Sequence, residues 1–113
     1  MAAFDRIEEV GPSAQFGNTG PGGWGFTLWG SPTCAEEVHS NLLERLAETC
    51  RTSSLTLPPW NDREDMVEGS LTWEGAPIWV WFETVLNYTW LWSADRTAVV
   101  GLREVLFPIA RSM

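Results

Sequence analysis

The groups with which this chain can do chemistry are few: one histidine, two cysteines and fifteen carboxylates, beside seven basic residues that are all arginine. A lone histidine excludes a multi-histidine metal site. Glu36 and His39 stand at the i, i+3 spacing used by di-iron helical bundles, but such centres take matching acids from several further helices. The expectation is a helix-surface pair. Cys34 and His39 are the residue types of a thiol nucleophile and its base, yet a five-residue offset turns them about 140° apart on a helix. The run Gly20-x-Gly22-Gly23-x-Gly25 is spaced like a phosphate loop, but it precedes a strand and carries no lysine. These sets predict no catalytic residues, no metal, no cofactor and no enzymatic activity.

The carboxylates are the more informative group. Asp62, Glu64, Asp65 and Glu68 crowd one loop, WNDREDMVEG, with Trp60 before them and Glu74 on the strand that follows. The loop lacks the D-x-D-x-D-G spacing and central glycine of a calcium loop. A solvated charged loop is one reading. The other is an anionic knob that enters a basic cleft, with charge speeding capture and the ring prolonging residence. Net charge agrees with the second, at −8 with a pI near 4.4. Such a balance repels nucleic-acid phosphates and anionic lipid and attracts basic proteins, although it also serves solubility.

No apolar stretch approaches the roughly 20 residues that cross a bilayer, and MAAFDRIEEVGPS has no signal-peptide core, so a cytoplasmic location is expected. Cys34 and Cys50 fall at opposite ends of one expected helix, roughly 24 Å apart at about 1.5 Å per residue. A disulfide needs Cα atoms within about 7 Å, so both are expected as free thiols.

The elements that position these groups follow from periodicity. The chain of 113 residues fits one domain. Phe4, Ile7 and Val10 recur at helical spacing and predict a short helix over residues 1–10, ended by Gly11-Pro12. A flexible glycine-rich loop is expected over 17–25, then a strand in WGFTLWG. Ser31, or Thr33 with Glu36, opens a helix whose apolar stripe is Val38, Leu42, Leu43, Leu46 and Cys50. A short strand at 54–57 stops at Pro58-Pro59. Three strands follow as a meander, at 70–74, 78–83 and 88–93, with turns at 74–77 and 84–87. Ser93 or Asp95 caps a last helix carrying Val99, Leu102, Val105 and Leu106, closed by Pro108. The fold class expected is α+β: a twisted antiparallel sheet of about five strands packed with two main helices.

Eight tryptophans give the sheet its character. Trp79 and Trp81 in PIWVWFE, and Trp90 and Trp92 in YTWLWS, are spaced at the period of a strand. A four-residue loop at 84–87 pairs Glu83 with Tyr88, Trp81 with Trp90 and Trp79 with Trp92. One face then carries those indoles and Tyr88, while the other carries Ile78, Val80, Phe82 and Leu91. A helix laid over the indoles makes them core; without one they form a partner surface.

In size, charge, the WNDREDMVEG loop and the SLTWEGAPIWVWFE…YTWLWS meander, the chain resembles the immunity proteins of bacterial polymorphic-toxin and contact-inhibition systems. The resemblance is one of class and transfers no individual residue. It implies a small acidic cytoplasmic protein that blocks a cognate basic toxin, such as a nuclease-like effector. The contacts expected on that basis are Trp60, Asp62, Glu64, Asp65 and Glu68, joined by Glu74, Trp79, Trp81, Trp90 and Trp92. A phage-encoded nuclease inhibitor shares the same acidic logic. Two other uses of the indoles are a module that stacks small flat ligands and a homodimer through the tryptophan face.

Overall fold

A computed structural model describes residues 4–13, 22–31, 36–49, 55–56, 66–83 and 86–113 of the chain. These form seven strands and two helices: β1 (Phe4–Ile7), β2 (Gly11–Ser13), β3 (Gly23–Gly30), α1 (Glu36–Thr49), β4 (Leu55–Thr56), β5 (Met66–Trp73), β6 (Ala76–Glu83), β7 (Tyr88–Ser93) and α2 (Arg96–Arg111). The strands make one antiparallel sheet in the order β1-β3-β7-β6-β5-β4, with β2 also paired to β3. Because β7 takes one edge of β3, β1 and β2 lie end to end along the other. The α+β class with two helices on an antiparallel sheet is as the periodicity predicts.

Hairpin chemistry sets the centre of the sheet. Glu74 (φ 49°) and Gly75 (φ 83°) make a two-residue turn that pairs Trp73 with Ala76. Positive φ at both central positions matches the right-handed strand twist, and Gly75 adopts it freely. Glu74 does so at a cost of roughly 1 kcal/mol. The expected loop of four residues joins β6 to β7 and yields the expected register, with Glu83 opposite Tyr88, Trp81 opposite Trp90 and Trp79 opposite Trp92.

That register sorts the side chains. Phe26, Leu28, Ile78, Val80, Phe82 and Leu91 lie on one face and are buried there. Both helices pack on this face, through Leu42, Leu43 and Leu46 of α1 and Val99, Leu102, Leu106 and Ala110 of α2. Burial of each such side chain contributes about 1.5–3 kcal/mol, and this layer holds the fold together. Glu44, Arg45 and Glu48 point outward from α1, as its stripe predicts.

Five expectations are corrected. Residues 4–7 are a strand rather than part of a helix. Its register with β3 slips between Phe4 and Arg6, and this bulge turns Phe4 and Ile7 to the same side despite their three-residue spacing. Arg103 of α2 anchors the segment, donating from Nε to the Glu8 carbonyl at 2.7 Å and from Nη2 to the Ile7 carbonyl at 3.3 Å. β3 starts at Gly23, one residue before the expected strand WGFTLWG, so the glycine-rich loop expected over 17–25 does not include its last three residues. Met66 to Gly69 extend β5 into the expected acidic loop, because β6 offers ladder partners as far as Glu83. Pro108 lies inside α2 and does not end it, since Ala110 continues the buried stripe and Ser112 closes the last turn on the Pro108 and Ile109 carbonyls. His39 is buried, not on the helix surface. The caps proposed at Thr33 and both cysteines lie outside the described residues, whereas Asp95 caps α2 by accepting from the Ala98 amide at 3.2 Å.

Candidate interaction face

Alternation places Trp79 and Trp81 of β6, Tyr88, Trp90 and Trp92 of β7, and Trp29 of β3 on the face opposite the helices. Trp81 is buried among its neighbours, while the other five rings are half-buried. Trp29 and Tyr88 sit 5.0 Å apart between centroids, extending the wall onto β3. Trp29 alternates out of phase with Phe26 and Leu28, which is the signal in WGFTLWG that assigns it to this wall. The other two described indoles, Trp24 and Trp73, belong to the helix side, Trp73 fully in the core. Trp60 lies outside the described residues.

Two glycines seat the wall. A Cβ on Gly25 would come within 2.8 Å of the Leu91 carbonyl and 2.9 Å of the Trp90 indole nitrogen; one on Gly23 would meet the Trp92 ring at 2.4 Å. The indoles of β7 therefore lie across the backbone of β3, where no side chain fits. Glycine is needed here for close approach rather than flexibility.

Carboxylates border the rings. Register pairs Glu68 with Trp81 along the β5–β6 backbone ladder, and sets Glu83 opposite Tyr88 on the indole side. Burial pushes the Tyr88 phenol up from its usual range, and the adjacent Glu83 adds to the effect while Trp81 opposes it. The phenol thus stays protonated and able to donate. Arg6 of β1, opposite Trp29, is paired with Glu8 at 3.0 Å; Glu8 also accepts from the Trp29 indole at 3.1 Å. Arg45, Arg103 and Arg111 lie on the helices, on the other side of the sheet. Asp62, Glu64 and Asp65 fall outside the described residues.

At one end of the wall the rings open into a cleft of about 550 Å³. Trp79 and Trp92 form its side, Pro77 and Ala94 add apolar surface, and Glu74 and Asp95 supply carboxylates from the β5–β6 turn and the start of α2. Glu74 is among the contacts the sequence predicts; Asp95, predicted as a helix cap, joins it here. A second depression, of about 240 Å³, lies beside Trp90 with Glu8 and Glu9 in its lining.

The groups named as chemically capable do not converge. His39 packs between Phe4, edge-on at 5.2 Å, and Phe82 at 4.3 Å. Asn87 donates its amide nitrogen to the Ser31 carbonyl at 3.2 Å, so its oxygen faces His39 Nε2 at 2.7 Å, and that nitrogen carries the proton. Nδ1 then accepts from the Thr89 hydroxyl. Burial lowers the imidazole pKa to about 4, against a smaller opposing effect of the Asn87 bond, so the ring is a neutral brace between α1 and the start of β7. Among the described residues no three of His, Cys, Asp and Glu gather as metal ligands, and no helix is long and apolar enough to cross a membrane. No family model, curated protein or solved structure matches this chain, so its functional reading rests on this face alone.

Proposed function

We propose that this chain is an immunity-type inhibitor, which binds a basic bacterial toxin through its indole face and the carboxylates around it. The observation that carries the reading is the segregation of the sheet. Aliphatic side chains and both helices occupy one side, while six aromatic rings bordered by acids occupy the other. Half-buried indoles at the centre of a face are the residue type that contributes most at interfaces, and a rim in which carboxylates predominate, with Arg6 held by Glu8, selects a partner of the other sign. The overall charge of −8 extends that selection to long range.

The test is capture of binding proteins from the native organism at low and at high salt, followed by an activity assay of the purified partner with and without this chain. The reading expects one basic protein whose capture weakens in salt and whose toxic activity is abolished at equimolar mixture. A captured protein whose activity is unaffected would overturn it. The cleft beside Trp79 is of a size that also holds small molecules, which supports a second reading as a ligand-stacking module. That reading expects saturable binding of a small flat ligand with no protein partner.

A further inference from the structure

We infer that the cleft between Trp79 and Trp92 is an arginine-recognition pocket, taking a guanidinium side chain of the basic partner between an indole wall and the carboxylates of Glu74 and Asp95. This deepens the proposed function and rests on it for the source of the arginine.

Three features of the cleft converge on that occupant. Its lining is chiefly apolar, with two half-buried indoles as the extended surface. A planar, weakly hydrated cation lies well on such a surface, and tryptophan offers the strongest ring field for it. Among the described residues the ionisable groups of the lining are Glu74 and Asp95, both exposed, so they give the site negative charge. Asp95 accepts the Ala98 amide through Oδ1, a bond that fixes this carboxylate at the start of α2, where it lines the cleft. The nearest arginine in sequence, Arg96, lies over the Trp24 ring at 5.3 Å and is not in the lining. That contact is this chain's own instance of guanidinium on indole. A lysine ammonium would gain less, because it neither stacks flat nor forks between two carboxylates. The volume exceeds one side chain, so residues flanking the arginine enter with it.

The experiment uses the full chain labelled with ¹⁵N and follows the indole N–H resonances while N-acetyl-arginine amide is added. N-acetyl-citrulline amide, of the same shape but neutral, is the comparison. The inference expects saturable shifts centred on Trp79 and Trp92, with citrulline at least about fivefold weaker. The double variant Glu74→Gln with Asp95→Asn should weaken arginine at least about threefold, and asparagine retains the helix cap so the fold survives. Equal response to citrulline, no saturation, or shifts centred on Trp24 or Trp29 would overturn the pocket. Its fate separates from that of the toxin reading. Partner capture and inhibition that persist without arginine binding remove the pocket alone; arginine binding without any inhibited partner removes the toxin and leaves the pocket.

Discussion

Lowering the pH from 8 to 5 should weaken this protein measurably through a single residue, His39. His39 is the only histidine, and its described neighbours Phe4, Phe82, Asn87 and Thr89 do not titrate. Burial holds its folded pKa at about 4, against 6.5 for the free side chain. Between those values the unfolded chain binds the proton and the folded chain does not, so stability falls as pH falls. Above 6.5 both states are neutral and the contribution is constant. At about 1.4 kcal/mol per unit the separation is worth roughly 3 kcal/mol, of which about 2 is lost by about pH 5. That is a large share of the roughly 5–15 kcal/mol of a domain this size. The assay is urea denaturation followed by tryptophan emission at several pH values from 8 to 5, on the wild type and on His39→Gln. Glutamine lowers the baseline but cannot titrate, so its profile records every other group. The wild type should lose about 2 kcal/mol more than the variant across that range. Equal slopes, or a flat wild-type profile between pH 7 and 5, would refute the neutral brace.

Other substitutions probe the framework that presents the face. Gly25→Ala forces a Cβ against the Leu91 carbonyl and should cost about 1–3 kcal/mol in thermal melts, whereas Gly11→Ala, with open space around it, should stay within about 0.5. Arg103→Met removes the bonds to the Ile7 and Glu8 carbonyls, at about 1.5–3 kcal/mol. Hydrogen exchange should then quicken in β1 and leave β6 and β7 unchanged. Pro108→Ala restores a donor inside α2 and should stabilise by about 1 kcal/mol, read as a rise of roughly 4 °C in Tm.

Periodicity made the middle of the molecule legible. Two W-x-W pairs and a loop of fixed length leave one register that keeps indoles and aliphatics apart, and β6 and β7 adopt it. The stripes of α1 and α2 were equally readable, because a helix face repeats over several turns. What periodicity cannot say is which face a helix covers; that depends on where β3 inserts, between β1 and β7. The first ten residues misled because a bulge gives Phe4 and Ile7 the phase of a helix. Gly23 and Gly25 read as a flexible linker because their role is set by Trp92 and Trp90, distant in sequence. The charge of Asp95 beside Trp92 was hidden for the same reason, since the cleft joins a turn, three strands and a helix start. The burial of His39 is hidden in the sequence because its partners, Asn87 in the turn before β7 and Thr89 on β7, are distant from α1 along the chain.

The central claim is that the indole side of the sheet, and not the helix side, meets the partner. It is tested most directly by the affinity of the purified complex for two variants with the same change in net charge. Ser70→Arg sets a cation on the exposed position opposite Trp79, on the indole side. Glu104→Gln alters an exposed position of α2, on the other side. The account predicts that the first raises Kd by more than about tenfold, or ~1.4 kcal/mol, and that the second changes it less than about twofold. Equal effects, or a larger loss from Glu104→Gln, would contradict it.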